Sequence, residues 1–525
     1  MALLSHYQTR FALICSIALV VILIAINAFR PLNELVLDYD EVDYMQAANL
    51  QIDDLYLGTS TLNFVEFMKL GYKKLKGGNS LELSVAETQD SFLLRHFHGV
   101  IPIYIVKLFQ EGGEDSKGMQ SIAWKVKLFL VAIFVISIIF LPLYFSNSAP
   151  SFLASLAVSA LFLTTPIAME PFYGLTFHTF LAVMVIPFSI IFSKVFSDPS
   201  NKYSVLLFVI LGLMVNIIVT ATFIIFGALV ILYLTGKIKK VVTLRSLSAF
   251  VATIFLTYPG QLLSLDYVKA HLMHVYKILV YKKEYTSVSV GSVFEDLQTA
   301  LPFIMVVCFI FVYRHYFIKI KTSFENDALL YIGVLFIFLN SPFLLNNRYF
   351  LPGITLLAVW AIKETGKWFD TGKFNNTHAL RLFLLSLAVM LIFNYSSVRT
   401  SVTFRYSEMS NYSKLFRADV ADLKNSINAT SNGGLIISDI AHILNFYVGP
   451  NNFIHGHIVS GTVLVRLDRE NFPIDIFLKD HEISMLVFRK NLFEQDINKY
   501  PELKECNNLD SSEQILVKIK LCLPT

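Results

Sequence analysis

The sequence has little charge. Only 16% of its 525 residues are Asp, Glu, Lys or Arg, whereas 55% are hydrophobic, and the mean hydropathy is +0.59. The core of a water-soluble protein of this length does not absorb so much apolar surface. The composition therefore excludes a soluble globular protein and predicts a polytopic membrane protein.

Net charge and cysteine are also low. The formal net charge is +4, and the Lys and Arg residues form no aromatic-basic stripe, which excludes nucleic acid as a partner. The four cysteines include no pair with metal-site spacing. Cys506 and Cys522 lie in the polar C-terminal part, where either a disulfide or two buried thiols would fit. No Ala-x-Ala motif follows the first apolar stretch, from about Phe11 to Ala28, so we expect a retained helix.

Long hydrophobic runs are abundant. About nine further windows of helical length follow the first, and Tyr203–Leu234 is long enough for two short crossings with a turn near Asn216. The prediction is about eleven spans. With the N-terminus inside, the connections rich in Lys and Arg fall on the cytoplasmic side, and the long first loop and the C-terminal part face outward.

Composition divides the chain into two predicted domains. Residues 1–398 form a mainly α membrane helix bundle with a long outer loop over 31–123, in which Ile101–Leu108 is too short to span and should lie at the interface. Residues 399–525 are more polar and alternate apolar runs, such as Leu435–Ile437, with helical stretches. That alternation predicts a small extracytoplasmic α/β domain.

An acidic cluster, Asp38–Asp43, opens the outer loop without a local cation to balance it. Asp40 could cap a helix that starts at Glu41, and Asp43 would then favour the helix dipole. Capping leaves Asp38 and Glu41 unexplained. Acid/base chemistry or cation binding are the functional alternatives.

Other polar residues sit at the predicted outer ends of spans. Arg95, His96 and His98 precede the interfacial helix and suit a phosphate, two metal ligands or simple interfacial hydrogen bonds. Glu170 lies in a Glu-Pro turn with His178 one turn into the next helix, where loop solvation is the alternative to sharing a cation. Arg348 suits a lipid-linked phosphate or a snorkelling anchor. Lys282 belongs to a basic, aromatic loop that suits lipid headgroups.

In their order these motifs resemble the membrane-embedded GT-C glycosyltransferases. The likeness is greatest to the branch that holds the protein O-mannosyltransferases and the bacterial aminoarabinose lipid A transferases. It rests on the Asp-Glu pair that opens the loop, the Arg-His-x-His element, the Glu-Pro turn and Arg-Tyr-x-x-Pro before a late span, and it covers the chain to about Ile362. One departure is that relatives commonly place Pro directly after the second motif, where this chain has Gly99.

The resemblance implies a polyprenyl or dolichyl phosphate sugar as donor, with Asp40 as catalytic base and Glu41 as the second acidic position. The residues fit that chemistry, because an acceptor hydroxyl must lose a proton to a carboxylate and a leaving phosphate needs cations. The candidates for holding the phosphate are Arg95, His96, His98, Lys282, Arg348 and Tyr349. Glu170 and His178 would hold a divalent cation such as Mg²⁺ or Mn²⁺ if one is used.

The resemblance leaves the acceptor open among glycan, lipid and protein, and favours a bacterial inner membrane over an endoplasmic reticulum membrane. Two alternatives remain. A transporter or flippase for a lipid-linked saccharide would also need many spans, although such proteins place ionisable groups near the bilayer midplane. A non-catalytic relative would bind the lipid-linked sugar through the same carboxylates.

Overall fold

The computed structural model describes the membrane helices and parts of the C-terminal region. The described residues are 14, 35–37, 41–42, 44–45, 48, 99–110, 116–198, 201–218, 220–258, 300–316, 323–340, 347–370, 409–425, 435–438, 441–448, 458–460, 483–489 and 516–520. The predicted first span and the stretch 380–393 lie almost wholly outside them, as do Cys506 and Cys522.

The membrane part is helical throughout these residues. Its helices are α1 (Ile101–Leu108), α2 (Ser116–Phe145), α3 (Ala149–Leu163), α4 (Pro166–Met169), α5 (Phe177–Ser197), α6 (Asn201–Val215), α7 (Ala221–Leu234), α8 (Ile238–Val241), α9 (Leu244–Thr257), α10 (Leu301–Tyr316), α11 (Ala328–Asn340) and α12 (Leu351–Asp370). Two 3-10 turns, Glu170–Tyr173 and Asn347–Tyr349, join α4 to α5 and lead into α12.

The centre of the bundle is α12, which is buried along nearly its whole length and packs against α2, α3, α5 and α11. Small residues allow the closest of these approaches. A Cβ on Gly333 of α11 would lie 2.9 Å from the Gly353 carbonyl oxygen of α12. Glycine at such a crossing brings two backbones together, as is common between membrane helices.

The chain reverses between α6 and α7, as the length of the run Tyr203–Leu234 predicted. At one end Lys237 Nζ donates to the Phe196 carbonyl over 2.8 Å, which places the exit of α7 beside the entry to α6. At the other end the Asn216 side-chain amide donates to the Thr257 hydroxyl, so the end of α9 lies beside the end of α6. With 15 and 14 residues, α6 and α7 each measure roughly 21–22 Å at 1.5 Å per residue.

Two described helices, Gly118–Phe145 and Phe177–Ser197, are long and apolar enough to cross a membrane. The pair Ala149–Leu163 and Pro166–Tyr173, bent by 76°, adds a third if it is counted as one broken span. The other apolar helices are shorter, and the predicted number of about eleven spans stays a prediction. Large apolar side chains such as Leu256, Met305 and Phe338 are exposed on α9, α10 and α11, as suits helices that face lipid.

The predicted cytoplasmic connections gather at one end of the bundle, here called the basic end. Lys363 Nζ bonds Ser193 Oγ over 3.4 Å, and Lys237 pairs with Glu325 at 3.0 Å. Arg314 and Asp327 form a fully buried ion pair there, which the Trp360 indole joins by donating to Asp327 over 3.2 Å. These contacts tie α5, α10, α11 and α12 together.

The C-terminal part combines helices and a sheet. Helix α13 covers 409–425, and α14 covers Ala441–Val448. Strands β1 (Leu435–Ser438), β2 (Ile458–Ser460), β3 (Ile483–Arg489) and β4 (Leu516–Lys520) form one sheet in the order β2-β1-β3-β4. The pairs of β1 with β2 and β3 are parallel, and β4 runs antiparallel to β3. The apolar run singled out in the sequence, Leu435–Ile437, lies in β1.

Candidate active site

Of the four carboxylates in the acidic cluster of the first loop, the structure describes Glu41, whose exposure is 3%. Its Oε1 forms an ion pair with Lys127 of α2 and accepts the backbone N–H of Leu175 over 2.8 Å. Burying a carboxylate is costly unless a cation and hydrogen bonds compensate it, and here both are present. Glu41 therefore fixes the loop simultaneously to α2 and to the chain just after the Glu-Pro turn.

The Glu-Pro turn is buried rather than exposed. Pro166–Met169 and Glu170–Tyr173 break the span that began with α3, and Glu170 is only 4% exposed. The alternative that Glu170 is simply solvated in a loop is therefore wrong. The turn contacts α2 and the second 3-10 turn, Asn347–Tyr349, so Glu41 and Arg348 belong to one cluster of elements.

His178 stands in the first turn of α5 and packs against Tyr349, with the two ring centroids 4.3 Å apart. The Arg348 guanidinium lies over the Tyr349 ring at 5.4 Å and close enough to interact electrostatically with His178. Within the described residues, His178 Nε2 and Thr176 Oγ1 are buried atoms without a hydrogen-bond partner. Thr176 is the N-cap of α5, so a histidine, a hydroxyl, an arginine and a positive helix end meet here.

Helix α1 lies against the same end of the bundle. Lys107 donates to the Ala48 carbonyl over 2.9 Å, and the Tyr104 hydroxyl bonds the Thr257 carbonyl at 3.3 Å. At the start of α1 the Ile101 N–H bonds the Asn216 carbonyl at 3.2 Å. The segment after the Arg-His-x-His element therefore docks on the α6–α7 turn, at the end opposite the basic residues.

Five of the predicted site residues lie outside the described residues: Asp40, Arg95, His96, His98 and Lys282. Four of the other predicted residues, Glu170, His178, Arg348 and Tyr349, are brought together, and Glu41 is linked to them through Leu175. The roles assigned to all of them stay predictions.

Three residues that were not singled out from the sequence contact the first loop near the candidate site. Lys127 neutralises Glu41, and Gln120 and Tyr447 bind the start of the first loop. Lys127 had a detectable signal, because a lysine inside a predicted span usually has a buried partner. The other two are ordinary polar residues whose role depends on tertiary contacts.

The proposed divalent site has few ligands. Among the described residues no group of three or more His, Cys, Asp and Glu side chains is close enough to hold a metal ion. Glu170 and His178 would supply two ligands, whereas Mg²⁺ takes about six oxygen ligands, and the Arg348 charge stands beside His178. These residues therefore fit a divalent cation poorly.

Comparison with known proteins places this geometry in a fold. No protein-family model matches the sequence, and neither does any curated protein. The structure is similar to crystal structures of ArnT from Cupriavidus metallidurans. The form bound to undecaprenyl phosphate has a TM-score of 0.56 at 12% identity, covering 97% of both chains. The apo form has a TM-score of 0.53 at 14% identity, covering 98% of both.

The chain has the GT-C fold. The resemblance read from the sequence motifs is thereby confirmed at the level of the fold, over nearly the whole chain and not only to Ile362. A GT-C fold also agrees with the apolar, mainly helical structure of a multi-pass membrane protein. At such low identity it assigns no activity to individual residues.

Proposed function

We propose that the protein is an integral-membrane glycosyltransferase that takes a sugar from a polyprenyl or dolichyl phosphate and transfers it to an acceptor hydroxyl. The observation that carries the proposal is the convergence of Glu41, the Glu-Pro turn, His178 and Arg348 at one end of a GT-C bundle. The similarity to ArnT bound to undecaprenyl phosphate supports the donor class. Because this end lies opposite the basic residues, we propose that the reaction takes place on the outer face. The family resemblance favours a bacterial inner membrane.

In this proposal Asp40 is the general base. The acceptor oxygen attacks the anomeric carbon while its proton passes to the Asp40 carboxylate, and the bond from that carbon to the phosphate oxygen breaks. The electron pair leaves with the lipid phosphate, and the single displacement inverts the anomeric centre. Asp40 directly precedes Glu41, whose carboxylate binds Lys127 and the Leu175 N–H.

Glu41 supports the base without acting as one. Its oxygen Oε1 already binds the Lys127 ammonium and the Leu175 backbone N–H. Both contacts hold the carboxylate against α2 and the Glu-Pro turn, and this oxygen is occupied before any acceptor arrives. We therefore assign Glu41 to holding the loop against the turn.

The leaving phosphate is assigned to Arg348, with Thr176 and His178 beside it. A guanidinium binds two phosphate oxygens through its planar fork, and a buried hydroxyl and imidazole without partners among the described residues suit the remaining oxygens. The start of α5 adds its positive dipole end. Tyr349 contacts both His178 and Arg348 and would orient them, while Arg95, His96, His98 and Lys282 remain further candidates.

The experiment is to purify the protein and identify co-bound lipid by mass spectrometry, then repeat it with Arg348→Ala. Wild-type protein should carry a polyprenyl-phosphate sugar. The amount of this lipid that co-purifies with Arg348→Ala should be lower by about tenfold or more, because hydrogen bonds to charged groups contribute about 1.5–3 kcal/mol. Arg245→Ala is the matched control, since Arg245 is exposed near the basic end. Equal lipid content in all three proteins, or a lipid without phosphate, would contradict the assignment.

A further inference from the structure

The three residues just before the acidic cluster are bound to other parts of the chain. Val36 N–H donates to Ser413 Oγ over 3.0 Å, and Leu37 N–H donates to the Tyr447 hydroxyl over 2.8 Å. Gln120 Nε2 donates both to the Leu35 carbonyl, at 3.0 Å, and to the Tyr447 hydroxyl, at 3.2 Å. We call these contacts of Leu35–Leu37 the loop anchor.

The loop anchor joins the C-terminal part to the membrane part. Ser413 lies on α13 and Tyr447 on α14, whereas Gln120 lies in the first turns of α2. Arg417 of α13 also donates to Gln120 Oε1 at 3.3 Å. Leu37 and Tyr447 are 410 residues apart in the sequence. The contact is therefore a tertiary one between the two parts.

Tyr447 is suited to be a fixed point. It is 8% exposed, and its ring packs edge-on against Phe416 with centroids 5.6 Å apart. Burial, with a smaller contribution from the Glu41 carboxylate, raises the pKa of Tyr447 to about 12, so the hydroxyl stays neutral at physiological pH. A neutral phenol can accept the two N–H groups that it faces.

The anchor lies immediately before the residues proposed for catalysis. Leu37 is fixed by Tyr447, and four residues later Glu41 is fixed by Lys127 and Leu175. A chain covers at most about 3.3–3.6 Å per residue, and the contacts of Leu37 and Glu41 fix both ends of this short segment. Catalytic groups lose rate steeply when they are displaced by about 1 Å.

We propose that the C-terminal part positions the acidic segment of the first loop for the reaction, with Tyr447 and Ser413 as positioning residues. The catalytic half of this inference rests on the proposed function, whereas the anchoring half does not. Loss of the anchor should let the Asp40 carboxylate move relative to the acceptor while the phosphate site at Arg348 and His178 stays intact. The number of turnovers should fall, and lipid binding should not.

The test compares Tyr447→Phe with wild type by hydrogen exchange, by turnover of the co-purified sugar donor and by binding of added undecaprenyl phosphate. Phenylalanine keeps the packing on Phe416 and removes only the hydroxyl. Exchange at the Leu37 amide should quicken about tenfold and kcat should fall about tenfold, as expected for one or two lost hydrogen bonds, with Kd for undecaprenyl phosphate within about twofold. Ser413→Ala should quicken exchange at Val36 instead.

Tyr331→Phe is the control, because Tyr331 lies in α11 near the basic end and packs on Phe324, which precedes that helix. It should change neither exchange in the first loop nor turnover. Unchanged exchange at Leu37 in Tyr447→Phe would overturn the anchor, and quicker exchange with wild-type kcat would overturn the positioning role. Equal losses of kcat, lipid binding and thermal stability would show a merely structural contact and also overturn it. If wild type itself transfers no sugar, the proposed function fails, and the exchange rates alone decide the anchor.

Discussion

Glu41 and Lys127 form an ion pair in which both side chains are almost completely buried, at 3% and 6% exposure. Such a pair adds little net stability compared with two apolar residues, but loss of one partner leaves an uncompensated buried charge. The pair therefore makes the position of the first loop depend on one lysine in α2. It also accounts for the Glu41 carboxylate, which helix capping did not explain.

Lys127→Met should destabilise the protein by about 3–5 kcal/mol, since the Glu41 carboxylate would stay buried without its cation. The double variant Glu41→Gln/Lys127→Met should recover much of that loss, because it removes both charges. The free energy of unfolding in mixed detergent micelles measures both. Lys125→Met, two residues away on the same helix and half-buried, is the control and should change stability by less than about 1 kcal/mol.

If Lys127→Met were as stable as wild type, Glu41 would have to be paired with another cation.

For single residues, the sequence could indicate which carboxylates and cations were unusual, because they interrupt apolar runs. It could not pair them. Lys127 belongs to a predicted span and Glu41 to a loop about 85 residues earlier, and only the packing of α2 against that loop brings them together.

Gly99 determines how the first loop docks on the membrane helices. A Cβ at this position would overlap the Asn216 backbone carbonyl, which is also the acceptor for Ile101 N–H. The departure from the Pro-containing pattern of the resembled family thus coincides with a close backbone approach. Glycine is required there for space and not for an unusual φ angle.

Gly99→Ala should destabilise the protein by about 1–3 kcal/mol or more, because backbone has to shift to admit the methyl group. Thermal unfolding in detergent measures the loss. Gly174→Ala is the matched control, since the nearest atom to its added Cβ would be Thr176 Cγ2 at 3.7 Å, an ordinary contact. Equal melting temperatures for the two variants would contradict the docking of α1 on the α6–α7 turn.

Element bounds were predictable where hydrophobicity alone decides them. The reversal near Asn216 followed from the length of one apolar run, whereas α12 continues for eight residues past Ile362, where its apolar run ends. The reason is that its polar residues are paired: Glu364 bonds Lys367 at 3.0 Å and lies 3.5 Å from Arg314. Hydropathy falls at such residues and therefore predicts the end of the span. They continue a buried helix here because other parts of the fold provide ionic partners.

Across the whole molecule the described charges separate into two groups. The ion pair of Arg314 and Asp327 and the paired residues of α12 lie at the basic end, whereas Glu41, Glu170, His178 and Arg348 lie at the other. A transporter would be expected to hold ionisable groups midway along its helices. The observed distribution favours chemistry at one membrane face.

The GT-C fold could be predicted through a family resemblance, which rests on the order of short motifs. The acceptor could not be predicted, since it depends on surfaces built from residues far apart in the chain, such as the contacts of α13 and α14 with the first loop. The same reason hid the loop anchor. Tyr447 and Leu37 are unremarkable residues until the C-terminal part folds back onto the bundle.

The most direct measurement compares donor consumption in Asp40→Asn and wild-type protein, with Asp43→Asn as the control. Mass spectrometry of the lipid bound to each protein, before and after incubation in native membranes that supply the acceptor, gives the ratio of polyprenyl-phosphate sugar to free polyprenyl phosphate. Wild type and Asp43→Asn should convert the donor, and Asp40→Asn should bind it and leave it intact, because the acceptor hydroxyl then has no base. Conversion by Asp40→Asn at the wild-type rate would contradict the mechanism.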